Sequence, residues 1–207
     1  GTNPDTTLTC VLAAGTGATG ENVVVTQTTQ ASTPSKTVKY GVPTVSGVTG
    51  CTDSGANADD CDTKGQTITL TGTNFGTTGA TVTVDGVSCG SVSHSTPHTE
   101  LTCALAAGGG VNLVVVATQT AQVDVDGRTV TYVEPSLTSL AAASGCTVNT
   151  GSLEDCTTAG TTITLTGSGF GPSGATVAVG AGTCTSPTHD GTNPDTTLTC
   201  VLAAGTG

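Results

Sequence analysis

An internal repeat constrains this chain more than any other feature of its sequence. The segment GTNPDTTLTCVLAAGTG occupies residues 1–17 and returns without a change at residues 191–207. A more diverged repeat lies inside this period, because GQTITLTGTNFGTTGATVTVDGVSC (65–89) aligns with GTTITLTGSGFGPSGATVAVGAGTC (160–184). Self-similarity at a fixed period is the signature of tandem structural units. The sequence therefore predicts two alternating, related units whose aligned segments lie 95 residues apart.

The repeat also predicts the borders of these units. We expect a complete unit A at residues 41–134, most of a unit B at 135–207, and the C-terminal half of a preceding unit B at 1–40, here called the N-terminal segment. On this interpretation the sequence is a window of a covalent array with a 190-residue period, or one repeat of a helical assembly. Two alternatives stay open. One is a partial gene duplication, and the other is strand donation, in which residues 1–40 complete unit B of a neighbouring subunit.

Nine cysteines follow the same repeat. Their positions predict two local disulfides in each unit, namely Cys51–Cys61, Cys89–Cys103, Cys146–Cys156 and Cys184–Cys200. Cys10 corresponds to Cys200, and its partner is expected outside the window. The alternatives are a zinc site or free buried thiols, but spacings of 10, 14 and 16 without a CxxC motif favour disulfides. Disulfides in small domains are typical of oxidising, extracellular compartments.

The composition favours β-strands and argues against nucleic acid as a partner. Thr and Val, both β-branched, prefer pleated and half-buried strands. No stretch has a sustained helical period, and no apolar run approaches the ~18 residues of a membrane span. Four Lys and Arg against fifteen Asp and Glu give a net charge of −11, which repels phosphate backbones.

Two local patterns predict individual strands. Ile68 and Leu70 alternate with threonines in TITLTG, which predicts a strand that Gly72 interrupts with a bulge or a tight turn. The Asp85-Gly86 dipeptide between two short apolar runs predicts a β-hairpin. With about seven such strands in each unit, the spacing is that of a sandwich.

The order of these features resembles a known family. A Pro and a short apolar strand lead into G-x-x-[IV]-T-[IL]-x-G-x-x-F-G, then a V-x-[VI] hairpin, L-T-C, a Val-rich strand and a closing Thr-Tyr, which is similar to the IPT/TIG domain. The matching positions are Pro43, Gly65, Ile68, Leu70, Gly72, Phe75, Gly76, Val82, Val84, Cys89, Cys103, Val115 and Tyr132 in unit A, and Pro135, Gly160, Ile163, Leu165, Gly167, Phe170, Gly171, Val177, Val179, Cys184 and Cys200 in unit B. The resemblance implies an all-β fold of tandem immunoglobulin-like β-sandwich domains (IPT/TIG, E-set type) arranged end to end. It also implies an extracellular structural or adhesive module.

The sequence offers no recognisable catalytic site. His94, His98 and His189 fit no nucleophile–base–acid arrangement, and we interpret them as surface histidines. We therefore expect neither an enzyme nor a cofactor. Carboxylates could supply oxygen ligands to calcium, but their spacing matches no EF-hand, and solvated acidic loops are the default interpretation. The calcium candidates are Asp59, Asp60 and Asp62, in one acidic cluster with Asp53, and two further acidic pairs are Asp124 with Asp126 and Asp190 with Asp195.

Hydroxyl side chains beside prolines are the candidate modification sites. The sequence has no N-x-[ST] motif with a non-proline middle residue, so N-glycosylation is excluded within it. The candidates for O-linked glycans are Thr33, Ser35, Thr96, Ser173, Ser186 and Thr188. Threonines within strands, such as Thr67 and Thr69, are interpreted as outward-facing strand residues instead.

These observations favour a structural role outside the cell, secreted or at the cell surface. We expect a repeat segment of an extracellular fibre, filament or stalk, with neighbouring copies of the repeat as head-to-tail partners. The alternative is an adhesin or receptor ectodomain that binds carbohydrate or protein through its loops. A binding module usually carries exposed aromatic residues, and the two Tyr and two Phe of this chain lie at predicted core positions.

Overall fold

The computed structural model describes residues 6–15, 17 and 19–205. These residues form β-strands and no helix, so the all-β fold class is confirmed. No membrane-spanning helix is found among them. In chain order the strands are β1 (Glu21–Val23), β2 (Thr26–Gln27), β3 (Gln30–Ala31), β4 (Lys36–Val38), β5 (Thr44–Thr49), β6 (Thr52–Ser54), β7 (Asn57–Cys61), β8 (Thr67–Thr73), β9 (Thr81–Val84), β10 (Val87–Ser88), β11 (Gly90–Thr96), β12 (Glu100–Ala104), β13 (Leu113–Gln119), β14 (Gln122–Val123), β15 (Thr129–Tyr132), β16 (Ser136–Ala142), β17 (Thr147–Asn149), β18 (Ser152–Glu154), β19 (Thr161–Ser168), β20 (Ala178–Val179), β21 (Gly182–Thr183), β22 (Thr185–His189) and β23 (Thr197–Leu202).

Residues 44–132 fold as a sandwich of two sheets. One sheet has the strand order β10-β9-β13-β15-β7-β6, with β14 paired to β13. The other sheet has the order β11-β12-β8-β5. Strands β15 and β7 pair in parallel, whereas their neighbours pair antiparallel. The chain therefore crosses between two sheets several times within one unit, as an immunoglobulin-like sandwich does.

The core of this sandwich is built from the alternating apolar residues of both sheets. Ile68 and Leu70 of β8 are fully buried, and the threonines between and beside them are not. From the opposite sheet, Val82 and Val115 are buried in the same core, and Phe75 lies there with no exposed surface. Because successive strand residues point to opposite faces, this alternation predicts the inward face of β8 correctly.

Gly72 lies within a strand, so the predicted interruption at this position is wrong. Strand β8 continues past Gly72, and the register shift occurs in the facing strand β5, between Val45 and Gly47. A Cβ atom at Gly72 would lie 1.9 Å from the carbonyl oxygen of Thr44 and 2.6 Å from Cζ of Phe75. Glycine is needed here because backbone and ring approach too closely for any side chain.

The hairpin predicted at Asp85-Gly86 is confirmed. Strands β9 and β10 pair antiparallel, with Val84 opposite Val87. The φ angles of Asp85 and Gly86 are 49° and 79°, and two consecutive positive values are typical of the type I′ turns that join twisted strands.

Residues 136–202 repeat one sheet of unit A. The order β16-β19-β23-β22 matches β5-β8-β12-β11 strand for strand, and all neighbours are antiparallel. The buried core is smaller and contains Ile163, Leu165 and Leu198 with two cysteines. Among the described residues, the remaining strands of unit B form only the short hairpins β17–β18 and β20–β21.

The N-terminal segment contains a counterpart of the last strands of unit A. Strands β1 and β4 pair antiparallel with Glu21 opposite Val38, and β13 and β15 pair with Leu113 opposite Val130. The internal repeat aligns these two pairs of residues. The valines of the N-terminal segment, however, are exposed, because no second sheet covers them within the described residues.

A tyrosine contact is also repeated. The Tyr132 hydroxyl donates a hydrogen bond to the carbonyl oxygen of Ala106 at 2.5 Å, and the Tyr40 hydroxyl donates one to that of Ala13 at 3.0 Å. Tyr132 ends β15 and Tyr40 follows the end of β4 by two residues, and both bond back to the segment that follows the L-T-C motif. Burial raises the pKa of the Tyr132 hydroxyl, which keeps it protonated as a donor.

Candidate functional site

A buried carboxylate of unit B contacts unit A. Asp195 is 7% exposed, and its Oδ1 accepts hydrogen bonds from the hydroxyl of Thr63 in unit A and from the backbone N–H of Gly171 in unit B, the latter at 3.0 Å. Its Oδ2 lies 3.8 Å from Nζ of Lys64. Thr63 is itself 1% exposed. The side chain thus joins the two units through buried, charge-assisted hydrogen bonds.

The surroundings of Asp195 favour its charged form. Burial by itself raises the pKa of this carboxyl group, but the hydrogen bonds from Thr63 and from the N–H groups of Gly171 and Gly169, with the charge of Lys64, outweigh burial and lower it. Hydrogen bonds to an ionised carboxylate stabilise that form. Asp195 is therefore an anion at neutral pH, and its ionisation strengthens the contact with unit A.

Local turns position both sides of this contact. In unit A, Asp62 Oδ1 accepts the N–H of Lys64 at 2.9 Å, which holds the turn that presents Thr63 and Lys64. In unit B, Asp190 Oδ1 accepts the N–H groups of Thr192 and Asn193 at 3.0 and 2.7 Å, which orders the loop that carries Asp195. Such Asp side chains favour turns because they bond their own backbone.

Similar loops meet where the N-terminal segment adjoins unit A. Ala14 and Gly15 line one cavity together with Gly76 and its neighbours in unit A. Between units A and B, a Cβ atom at Gly171 would lie 3.6 Å from the carbonyl oxygen of Gly108. The internal repeat aligns Gly76 with Gly171 and Gly15 with Gly108. The two borders therefore bring together the same pair of loops.

The two borders differ in their polar residues. The backbone N–H of Phe170 bonds to the carbonyl oxygen of Asp195, and that of Phe75 bonds to the carbonyl oxygen of His98, so His98 takes the place of Asp195 in unit A. The N-terminal segment instead contacts unit A through Gln122, which accepts the N–H of Gly17 at 3.4 Å and donates to the Tyr40 carbonyl oxygen at 3.3 Å.

Four disulfides join the predicted cysteine pairs: Cys51–Cys61, Cys89–Cys103, Cys146–Cys156 and Cys184–Cys200. In unit A, Cys89 lies between β10 of one sheet and β11 of the other, and Cys103 belongs to β12. Cys51 follows β5, and Cys61 ends β7 of the opposite sheet. Each bridge of unit A therefore joins a residue at a crossing between the two sheets to a strand of one of them. Cys10 is exposed and unpaired.

Two of the three histidines have a structural role rather than a purely surface one. Nε2 of His94 accepts the N–H of Ala80 at 3.4 Å, and Nε2 of His189 accepts the N–H of Ala175 at 3.2 Å. In both, Nδ1 lies within 3.2 Å of a backbone carbonyl oxygen. The same pair of histidine–backbone hydrogen bonds therefore holds a loop beside the core in both units. The third histidine, His98, is exposed.

The calcium candidates of unit A do not converge. Asp59 and Asp60 are neighbours in β7, and Asp62 caps the turn that follows. Asp60 has a φ angle of 52° and lies at a register shift in the pairing of β7 with β15. Within the described part of the chain, no three His, Cys, Asp or Glu side chains are grouped closely enough to hold a metal ion.

Asp124 is a second buried carboxylate, within unit A. Its Oδ1 accepts the N–H groups of Val45 at 3.0 Å and Asp126 at 3.2 Å, and its Oδ2 has no hydrogen-bond partner among the residues that the structure describes. Burial raises the pKa of this carboxyl group, the two backbone hydrogen bonds lower it, and the neighbouring charge of Asp126 raises it further, so that the net change is upward.

The hydroxyl groups proposed as modification sites are all accessible. The side chains that share this property are Thr33, Ser35, Thr96, Ser173, Ser186 and Thr188. An O-linked glycan requires an accessible hydroxyl group. Accessibility does not test whether sugar is attached, so glycosylation at each of these positions stays a prediction.

Comparison with known protein families supports the fold. The family model of the IPT/TIG domain matches residues 60–137. Residues 60–137 are therefore similar to an IPT/TIG domain. The IPT/TIG domain is an immunoglobulin-like β-sandwich, in agreement with the two sheets of unit A. The match covers one domain, and the resemblance of unit B to IPT/TIG domains stays a prediction.

Two solved structures are similar to the chain at 14% identity. One is a surface glycan-binding protein, PbSGBP-B, from Prevotella bryantii, with a TM-score of 0.44, and the other is a crystal structure with a xylogluco-oligosaccharide, with a TM-score of 0.37. Each alignment covers 81% of this chain but only 38% and 37% of those chains. Comparison with curated protein sequences gives no match.

The contact between Asp195 and Thr63 could not be found from the sequence. The two residues are 132 positions apart, and the sequence around each is typical of a solvated, polar loop. The sequence pairs Asp195 with Asp190 as acidic candidates for calcium, whereas in the structure Asp195 contacts unit A and Asp190 accepts N–H groups of its own loop.

Proposed function

We propose that this chain is a structural segment of an extracellular fibre, filament or stalk, built of disulfide-stabilised and O-glycosylated IPT/TIG-like sandwiches that follow one another end to end. The observation that carries this proposal is the repeated border. The same two loops meet between the N-terminal segment and unit A and between units A and B, and Asp195 fixes the second border with buried hydrogen bonds. A contact that recurs from unit to unit is what a regular array needs.

The disulfides support a location outside the cell. Four bridges in a chain of 207 residues are typical of oxidising compartments, since cytosolic thiols are kept reduced. Only four Lys and Arg residues leave few sites for proteases of trypsin-like specificity. Both features suit a protein that persists at the cell surface or in a matrix.

A non-catalytic role agrees with the chemistry of the described residues. His94 and His189 hold loops through backbone hydrogen bonds, and the buried Asp195 is occupied by its contact with unit A. The Thr63 hydroxyl that donates to Asp195 is itself only 1% exposed.

A second candidate function is the binding of carbohydrate or protein through the loops. Asn, Asp and Thr side chains in the loops could form hydrogen bonds with sugar hydroxyls. Sugar-binding surfaces, however, usually include an exposed aromatic face, and in this chain Phe75 and Tyr132 are buried while Tyr40 and Phe170 are half-buried. We therefore expect no retention of the chain in affinity gels that contain soluble plant or microbial polysaccharides. Saturable retardation in one of these gels would favour this second candidate.

The first experiment is the intact mass of native material that contains this sequence, before and after reduction and chemical deglycosylation. For a covalent, sugar-coated array we expect a mass many times the 19.8 kDa of this chain, unchanged by reduction and lowered by deglycosylation to a multiple of the repeat. Glycopeptide mapping should find sugar on the loop candidates such as Thr96 and Ser186, with the strand residues Thr67 and Thr69 as unmodified controls. A single bare species of 19.8 kDa would contradict the proposal.

A further inference from the structure

The Asp195 contact joins positions that recur in every unit of the proposed array. Thr63 and Lys64 lie in a loop of unit A, and Asp195 lies in a loop of unit B. We call this the A–B border. An array that alternates the two units also contains the reverse, B–A border, at which a unit B is followed by a unit A. The residues that occupy the aligned positions decide whether the same contact forms there.

The loop that carries Thr63 has the same backbone contact in unit B. The repeat aligns Thr63 with Thr158. Each of these threonines accepts, at its carbonyl oxygen, an N–H group from the segment that follows the L-T-C motif, at 2.9 Å in unit A and 3.2 Å in unit B. Unit B therefore has the means to present Thr158 as unit A presents Thr63. Ala159, however, takes the place of Lys64 and supplies no charge.

The loop that carries Asp195 also has its counterpart in unit A, with a different residue. The carbonyl oxygen of His98 accepts the N–H of Phe75, as that of Asp195 accepts the N–H of Phe170. A neutral imidazole has one acceptor nitrogen, whereas Asp195 uses both carboxylate oxygens in its contact. The residues at the B–A border therefore cannot form the charge-assisted contact of the A–B border.

A neutral contact is common to the two borders. At the border between the N-terminal segment and unit A, Gln122 accepts the N–H of Gly17 at 3.4 Å and donates to the Tyr40 carbonyl oxygen at 3.3 Å. Both distances are long for hydrogen bonds of this type. The repeat aligns Gln122 with Gln30, so a complete unit B carries the same side chain toward the A–B border. The carboxylate contact is thus an addition that the A–B border alone receives.

The linkers between the units differ in the same sense. The repeat aligns Gly41 in the B–A linker with Val133 in the A–B linker. Each linker is tied once to unit A, since the Val133 N–H bonds to the Cys61 carbonyl oxygen and Asn74 Nδ2 donates to the Val42 carbonyl oxygen, both at 2.9 Å. Because glycine restricts the backbone less than valine does, the B–A linker has the greater conformational freedom.

We propose that the array alternates a rigid A–B border with a compliant B–A border, so that each A–B pair moves as one body and bending occurs at every second border. Hydrogen bonds to an ionised acceptor are stronger than neutral ones, and burial protects them from competition by water. The inference deepens the proposed array, on which it rests, by naming Asp195, Thr63 and Lys64 as the residues that set its stiffness.

The test compares two recombinant chains that each contain one complete period. The A–B chain is residues 41–207 followed by residues 18–40, and the B–A chain is residues 135–207 followed by residues 18–134. Because the sequence repeats, both joins are native sequence. The two chains contain the same 190 residues in a different order, so each is the matched control of the other. Superimposable amide spectra of the two units show that both chains fold alike.

Residual dipolar couplings measure how the units of each chain align. At pH 7 we expect one common tensor for the A–B chain and two for the B–A chain, with the degree of alignment of one unit reduced by at least about twofold. The contact should also be transferable. His98→Asp with Ala159→Lys should give the B–A chain a common tensor, and Asp195→His with Lys64→Ala should give the A–B chain two.

The same behaviour of both chains, or a B–A chain that keeps two tensors after the paired substitution, would overturn the inference. Images of the native array provide a measurement that needs no recombinant chain. In them, bends should recur at every second border, and equally frequent bends at all borders would also overturn the inference. None of these results bears on the mass of the native array, so failure of this inference is distinguishable from failure of the proposed function.

Discussion

At the scale of single residues, two glycines show how closely the backbones of these sandwiches approach. A Cβ atom at Gly72 would lie 1.9 Å from the Thr44 carbonyl oxygen, and one at Gly167 would lie 1.9 Å from that of Ser136. In each case a phenylalanine Cζ is only 2.6 Å away. The strand, the facing strand and the aromatic ring are therefore fixed relative to one another at the same point of both units.

We predict that Gly72→Ala destabilises unit A. Because the new methyl group meets backbone on one side and the Phe75 ring on the other, the facing strand must move, and overpacking of this kind reduces the free energy of unfolding by about 3 kcal/mol. Urea unfolding measures the change. Gly109→Ala is the control, since a Cβ atom there meets nothing within 4 Å. Equal midpoints for the two variants would contradict the prediction.

At the scale of elements, the disulfides stabilise the crossings between the two sheets of unit A. The Cys89–Cys103 bridge is buried among the core residues and lies where the chain passes from β10 to β11. The Cys51–Cys61 bridge connects the end of β5 to β7. With few aromatic residues in the core, these covalent links supply a large share of the stability that a small sandwich needs.

We predict that the double variant Cys89→Ala and Cys103→Ala loses about 3 kcal/mol of unfolding free energy, the value that the chain-entropy model gives for a loop of this length. Chemical denaturation of the oxidised protein measures the loss. Cys10→Ala is the control, because this thiol is exposed and unpaired, and its replacement should leave the transition unchanged. A double variant as stable as the control would show that the bridge contributes no net stability.

The elements of unit A could be predicted well from the sequence. The alternation around Ile68 and Leu70, the Asp85-Gly86 turn and the all-β class are local signals, and the structure confirms them. Gly72 was misread because a glycine within a strand pattern has two meanings, a bulge or a close approach. Only the position of the Thr44 carbonyl oxygen in the facing strand distinguishes them.

The candidate site could not be predicted in the same way. The contact between Thr63 and Asp195 depends on how two units meet, and no periodicity within one unit encodes that relation. The sequence predicts surface histidines at these positions, because a single sequence does not reveal which backbone N–H lies near a ring nitrogen. The matching bonds from Ala80 and Ala175 became visible only in the structure.

At the scale of the whole molecule, the Asp195 contact should make the coupling of units A and B depend on pH. The pKa of Asp195 is lowered in the folded chain, so its contribution is fully present above the unfolded-state value of about 3.9 and is lost as the pH falls through the lower, folded value. We predict that residual dipolar couplings give one common alignment tensor for both units at pH 7 and separate tensors once the pH falls below the folded-state pKa of Asp195.

Three variants make this prediction specific. Asp195→Ala should separate the tensors already at pH 7, because the Thr63 hydroxyl and the Gly171 N–H lose their acceptor. Asp195→Asn should keep an acceptor but remove the dependence on pH. Glu154→Ala removes an exposed carboxylate of unit B and should behave as the native chain does. A common tensor for Asp195→Ala at pH 7 would show that this contact does not fix the units.

The disulfides at the sheet crossings of unit A also limit how far the unit can lengthen under load. A force on the two ends of an unfolding sandwich extends every residue except those enclosed by a covalent loop. The bridges of unit A span sequence separations of 10 and 14 residues, so each unit pulled open gives about 80 Å less contour length than the same chain after reduction. A filament of such units would resist further extension at a shorter length while its disulfides are intact. The oxidation state of the cysteines would therefore set the extension at which the filament stiffens.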